Sequence, residues 1–290
     1  MKLILVTGAN KGIGLAIVEA ILKEQENHTV LLGCRSLDKG KRARDELLVK
    51  NQAWRGRVQT LQIDVGDPDS VKQAADRTSQ MLEQTKGELI GAVNNAGTAQ
   101  GKRGQMLAVN VYGIKNVLDY FDKVMSATAR IVNVTSASGP NYVADCASDW
   151  QRFFLDQNVK WPTLDSCMQE WNSLTDQALK SKGLPADYDY GLSKACANLL
   201  TLIAAKENPE RSINACTPGY IDTDLTRDML GGSNRTTAEL GMKLPADGAR
   251  VIIHLLFSAQ KTSGFYYGSD AQRSPMDRYR SPGSAPYTGE

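Results

Sequence analysis

The sequence predicts an α/β fold built on a doubly wound parallel sheet, a single domain with an inserted helical segment. Three observations carry this. Strand-like apolar runs alternate with helix-periodic segments along most of the 290 residues. The first run, Leu3-Ile4-Leu5-Val6, is uninterrupted, as expected of a central strand buried on both faces. It leads into Thr7-Gly8-Ala9-Asn10-Lys11-Gly12-Ile13-Gly14 and then into a helical stripe of Ile13, Ala16, Ile17, Ala20 and Ile21.

The remaining elements follow in order. Thr29 to Cys34 reads as strand two and Asp38 to Lys50 as a charged helix, with Asp38 placed to cap it. Val58 to Ile63 alternates as strand three. Ser70 to Lys86 reads as a helix opened by Asp67-Pro68. Leu89 to Val93 is strand four, closed by Asn94-Asn95-Ala96-Gly97, and Leu107 to Ala127 reads as one long helix. Ile131 to Val134 is strand five, ending in Thr135-Ser136. A helix striped by Leu192, Ala195, Leu199 and Leu202 carries Tyr190. Ile213 to Cys216 is strand six, Val251 to Phe257 an apolar helix, and Gly264 to Tyr267 a short last strand.

Two segments break the rhythm. Residues 137–189 are far longer than an ordinary strand-to-helix connection. They hold Trp150, Trp161 and Trp171 with Tyr142, Phe153 and Phe154, too aromatic for a polar linker, so they are expected to fold against the body. Met168, Trp171, Leu174 and Ala178 mark one helical face within them. The tail 269–290, rich in Ser, Pro, Gly and Arg, is expected to be irregular, leaving 1–268 as the cofactor-binding domain.

Composition narrows the function. A formal net charge of +2 with scattered Lys and Arg points away from nucleic acid and anionic membranes. No apolar run is long enough to span a bilayer. Strand one begins at the N-terminus, leaving no room for a signal peptide, and five unevenly spaced cysteines suit neither a disulfide framework nor a zinc site. A reduced, cytoplasmic, metal-free protein is expected. His28 and His254 stand alone and read as structural.

In such a sheet a ligand lies beyond the carboxyl ends of the strands. The glycine turn, with Gly8, Asn10, Lys11, Gly12, Ile13 and Gly14, opens a helix whose free N–H groups and positive dipole end suit a pyrophosphate. Asp64, with Val65, is assigned to the adenine end, or else caps the next helix. Asn94, Ala96 and Gly97 are placed against adenosine ribose, unless Asn94-Asn95 merely form a turn. Pro218 and Gly219 lie near the nicotinamide. The end of strand two decides the cofactor. A carboxylate there would bind the 2′-hydroxyl of NAD, whereas this chain has Cys34-Arg35-Ser36. Arg35 can grip a 2′-phosphate, with Lys11 adding charge, if it is not simply a solvated arginine. NADP(H) is therefore the expected cofactor.

Tyr190 and Lys194 are spaced to share one helix face. A free phenol ionises near pH ~10; a neighbouring ammonium stabilises the phenolate and lowers that value. Tyr190 is then a general acid for a carbonyl oxygen. Ser136 hydrogen-bonds the same oxygen, and Lys194 also holds the nicotinamide ribose. Asn110, inside the long helix, either draws a water towards Lys194 or faces solvent or bonds locally.

These residues, in this order, resemble the short-chain dehydrogenase/reductase family from residue 2 to about residue 268. Within it the chain is similar to the carbonyl reductases with a long insert before the active-site tyrosine. The resemblance implies a Rossmann-type fold and a catalytic tetrad of Asn110, Ser136, Tyr190 and Lys194. It also implies contacts from Ile221 and Thr223 to the nicotinamide carboxamide, and NADPH-dependent reduction of ketones, aldehydes or quinones. It implies a monomer, since a folded insert covers the helix face through which relatives commonly pair. The expected partner is a small-molecule carbonyl substrate, in a pocket drawing on the insert, residues 224–242 and the tail. The run between Gly97 and Asn110, with Gly101, Lys102, Arg103 and Gly104, is shorter than relatives usually have. Two alternatives stay open: an alcohol dehydrogenase working oxidatively, and a non-catalytic NADPH-sensing regulator.

Overall fold

The alternation read from the sequence is present in a computed structural model, which describes residues 1–229, 236–237 and 239–289. β1 (Lys2–Val6) runs into α1 (Gly12–Glu24), β2 (His28–Cys34) into α2 (Leu37–Lys50), and β3 (Val58–Gln62) into α3 (Pro68–Thr85). β4 (Glu88–Asn94) leads to α4 (Arg103–Leu107), a π-helical turn over Ala108–Tyr112, and α5 (Gly113–Tyr120). After β5 (Met125–Val134) the insert forms α6 (Ser138–Ala144), α7 (Ser148–Leu155), α8 (Trp161–Ser173) and α9 (Asp176–Ser181). Then come α10 (Asp189–Glu207), β6 (Ser212–Cys216), α11 (Asp224–Met229), α12 (Pro245–Phe257), β7 (Tyr266–Tyr267) and β8 (Arg273–Ser274).

The strands form one sheet in the order β3-β2-β1-β4-β5-β6-β7-β8, parallel except for the antiparallel β8. Apolar side chains of α1, α2 and α12 pack on one face, and those of α3, α5, α10 and the insert on the other. The sheet is thus buried on both sides, which is why its strands read as continuous apolar runs. Register matters for the site. Val6 pairs with Val93, Asn94 with Asn133, and Val134 with Cys216, so β1, β4, β5 and β6 end in one row.

Four expectations need correction. The helix expected to reach Ala127 stops at Tyr120: Phe121 drops fully into the core, and Arg211 holds Asp122 at 2.6 Å through its side chain and 2.7 Å through its carbonyl. Met125, inside the expected helix, instead opens β5. The face from Met168 to Ala178 is split, because α8 ends at Ser173 and Thr175 caps a new helix by accepting from Ala178 N. Ser36, not Asp38, caps α2, accepting from Lys39 N. The tail is mostly irregular yet contributes β8, and its Arg280, 7% exposed, pairs with Asp270 at 2.6 Å.

The insert does pack against the body. Trp171, Tyr142 and Phe154 are fully buried, and Trp150 meets Trp171 edge-on at 5.2 Å. Burying each such ring contributes about 2–3 kcal/mol, enough to hold short helices that would not form alone. Among the described residues no helix is long and apolar enough to cross a membrane, and no cluster of His, Cys, Asp and Glu is arranged to hold a metal ion.

Candidate active site

A cleft of about 1220 Å³ opens beyond the aligned strand ends. The glycine turn forms its floor. Gly8 (φ +62°) and Gly12 (φ +56°) adopt left-handed backbone, and a Cβ on Gly14 would collide with the Gly8 carbonyl. The turn is pinned from β4: Thr7 Oγ1 accepts from Asn95 N (3.0 Å) and Ala96 N (3.1 Å), while Asn95 Nδ2 donates to Thr7 O (3.0 Å) and Gly8 O (3.3 Å). Neither Thr7 nor Asn95 stood out in the sequence as more than part of a motif. Both are structural supports for an anion cradle at the start of α1.

Of the residues expected to bind cofactor, Gly8, Lys11, Gly12, Ile13, Gly14, Arg35, Asp64, Val65, Ala96, Gly97, Pro218, Gly219, Ile221 and Thr223 line this cleft, together with Ser136, Tyr190 and Lys194. Asn10, Ser36 and Asn94 do not. Asn94 is buried and its Nδ2 donates to Asn133 Oδ1 (2.8 Å), while Asn133 Nδ2 donates to Thr201 Oγ1 (2.9 Å), so its side chain joins a strand-to-helix network. The hydroxyl of Ser36 is occupied as the α2 cap. Asp64 is not a helix cap; its Oδ1 accepts from Gly66 N (3.1 Å), and Asp67 caps α3. Arg35 is exposed and makes no ion pair with a described residue. Lys11 is already engaged, bridging the cleft to Asp224 at 2.5 Å. Of the expected pocket segment 224–242, residues 230–235 and 238 lie outside the described residues.

At the other end Ser136 and Tyr190 line the cleft together, with Ser136 close enough to favour the phenolate. Ser136 Oγ accepts from Ser138 N at 3.1 Å. Lys194, 5% exposed, donates to Val134 O at 3.2 Å and lies 5.6 Å from the Tyr190 ring centre. Electrostatics here differ from the sequence expectation. Burial pushes the Tyr190 phenol up to about 12, against the lowering effect of Ser136, and burial pulls the Lys194 ammonium down to about 8. The protein matrix alone thus makes Tyr190 a weaker acid than a free phenol, so the lowering expected of a proton donor must come from charge brought with the cofactor.

Asn110 does not face solvent. It is 1% exposed, in the π-helical turn, and bonds across the fold rather than locally: Oδ1 accepts from Thr98 N (2.8 Å), and Nδ2 donates to Thr98 O (2.8 Å) and Ser193 Oγ (2.9 Å). A Cβ on Gly97 would sit 3.3 Å from Asn110 Oδ1 and 3.5 Å from Lys194 Nζ, so both groups close on the same glycine. Ser193, within the Tyr190-to-Lys194 stretch, was not singled out in the sequence. The side of the cleft next to Tyr190 is completed by Thr98, Ala99, Gln100, Gln105 and Ser138, with Gln100 tied to Asp228 at 2.8 Å.

Comparison with known proteins places this fold among reductases. Rat (Rattus norvegicus) carbonyl reductase (NADPH) 3 is 30% identical over 260 residues, covering 84% of this chain and 89% of the relative. Human carbonyl reductase (NADPH) 1 is 27% identical over 267 residues, covering 87% and 89%. Among solved structures, salutaridine reductase from Papaver somniferum superposes with a TM-score of 0.76 at 23% identity, over 92% of this chain and 99% of that one. NADPH-bound carbonyl reductase from chicken fatty liver gives 0.64 at 22% identity, over 93% and 97%. The family model described as short chain dehydrogenase matches residues 2–148. With that match, and with relatives aligned along most of its length, the chain belongs to the short-chain dehydrogenase family.

Proposed function

We propose that this protein reduces the carbonyl group of a small ketone, aldehyde or quinone to the alcohol with NADPH, and that Tyr190 is the proton donor. The observation that carries the reading is that Tyr190, with Ser136 in the same cleft lining and the buried Lys194 Nζ 5.6 Å from its ring centre, shares that cleft with the glycine turn and the exposed Arg35. Those residues fit the cofactor. Gly12 and Gly14 line the cleft at the start of α1, where helix N–H groups suit a pyrophosphate, and Arg35, with no carboxylate at the end of β2, suits a 2′-phosphate. Pro218, Gly219, Ile221 and Thr223 line the nicotinamide end. Relatives that bear NADPH in their names support the same choice.

When bound, the reduced nicotinamide supplies a hydride to the carbonyl carbon. Everything else falls to the chain. Ser136 holds the carbonyl oxygen and stabilises its developing charge. Tyr190 gives that oxygen its proton. Lys194, fixed by Val134 O, offers positive charge as the phenolate forms and holds the nicotinamide ribose. Asn110 acts by fixing Thr98 and Ser193 around this group. Packing of α6, α7 and α8 on α10 supports a monomer, since it covers a face available for pairing. Five unpaired cysteines support a cytoplasmic location. Mixing the protein with NADPH and a panel of quinones, diketones and aldehydes tests the reading: loss of absorbance at the nicotinamide band only when a carbonyl is present is expected. NADPH binding without turnover on any carbonyl would overturn it in favour of a sensor.

A further inference from the structure

The short run after Gly97 has a use that neither the fold nor the family match assigns. Arg103, the first residue of α4, carries a side chain only 9% exposed. Its guanidinium makes four bonds: Nε to Asp189 Oδ1 (2.5 Å), Nη2 to Asp176 Oδ1 (2.7 Å), and Nη1 to Trp171 O (2.8 Å) and Leu174 O (2.9 Å). The two carbonyls lie at the C-terminal end of α8, where a cation is favoured; Trp171 O also accepts from Leu174 N at 3.2 Å. Gly104 lets α4 approach this closely, because a Cβ there would sit 2.8 Å from Asn172 Oδ1.

Asp189 directly precedes Tyr190. The far end of the same helical run, at Asn110, bonds Ser193, three residues after Tyr190. One stretch, residues 103–112, therefore grips the first turn of α10 on both sides of the phenol. Resting on the reading of Tyr190 given above, we infer that Arg103 is a positioning residue that acts through Asp189 to hold the Tyr190 hydroxyl in register with Ser136. The guanidinium fork, bonded at four points, makes this wall rigid. Catalytic rate is sensitive to such placement, since a misplacement of about 1 Å can cost ~10²-fold.

The experiment compares two carboxylates on one guanidinium. Asp189→Asn and Asp176→Asn each remove one ion pair, the first beside Tyr190 and the second on the insert, and Tm is recorded for both. Positioning predicts that D189N lowers kcat by about 10-fold while NADPH affinity, read by cofactor fluorescence, and KM stay unchanged. D176N loses comparable Tm but keeps its kcat. Asp189→Glu keeps the charge, so folding is safeguarded; it shifts the carboxylate by one methylene and must also lower kcat with KM unchanged. Wild-type kcat in D189N or D189E, or an equal kcat loss in D176N, would overturn the inference. Tyr190→Phe run alongside separates the two claims, because turnover surviving in that variant removes the proton-donor reading itself.

Discussion

Replacing Asp224 by asparagine should tighten NADPH binding without touching the chemistry. In the structure Lys11 spans the cleft to Asp224 at 2.5 Å, with side chains 65% and 60% exposed. Lys11 stands in the turn proposed to cradle the cofactor phosphates, so on that proposal a bound 2′-phosphate competes with Asp224 for the same ammonium. An ion pair this exposed is worth ~0.2–1 kcal/mol. Removing the competitor should therefore lower KM for NADPH by no more than about five-fold. NADH, which lacks the phosphate, should be unaffected, and the gain should shrink at high salt as the contact is screened. The assay is initial-rate kinetics with each cofactor at low and high ionic strength. An increase in KM for NADPH, or an equal change for NADH, would show that Lys11 serves the α11 segment and not the phosphate.

Two further outcomes follow from the same geometry. Arg35→Asp removes a charge-assisted contact and adds repulsion, so KM for NADPH should rise by roughly 10-fold or more; an equal rise for NADH would mean the 2′-phosphate lies elsewhere. Burial pulls Lys194 from its ordinary 10.5 to about 8. Between those values the unfolded chain binds the extra proton, so the Lys194 contribution to stability should rise with pH from about pH 8 to about pH 10, by roughly 2–3 kcal/mol, set against buried cysteines whose raised values act the other way. Lys194→Met should lack that component in urea unfolding at the two pH values, and parallel behaviour of both proteins would refute the assignment.

The strand ends were legible in the sequence because their chemistry is local. The run Leu3 to Val6 buries itself on both faces, and the glycines behind it are required by left-handed backbone and close approach at Gly8, Gly12 and Gly14. Tyr190 and Lys194 were legible because helical spacing puts them on one face. Bonds made across the fold were not legible. Asn94 looked like a ribose contact, and nothing local reveals its bond to Asn133, which itself reaches Thr201. Arg103 looked like part of a short loop, since nothing local reveals that it meets Asp189 and Asp176 more than seventy positions away. The early end of the helix after Asn110 was hidden for the same reason, because it depends on Arg211 capturing Asp122. The Tyr190 environment was misjudged in one respect: charge proximity favours a lowered phenol, but burial is the larger effect and raises it.

The account stands on Tyr190 as the proton source, and a single-turnover measurement tests this most directly. Enzyme in excess is mixed with NADPH and a carbonyl substrate found in the panel, and hydride transfer is followed in wild type and Tyr190→Phe. General-acid catalysis of this kind contributes ~10²–10⁴-fold, so the variant should be slower by that factor while NADPH affinity holds. A rate within a few-fold of wild type would contradict the account.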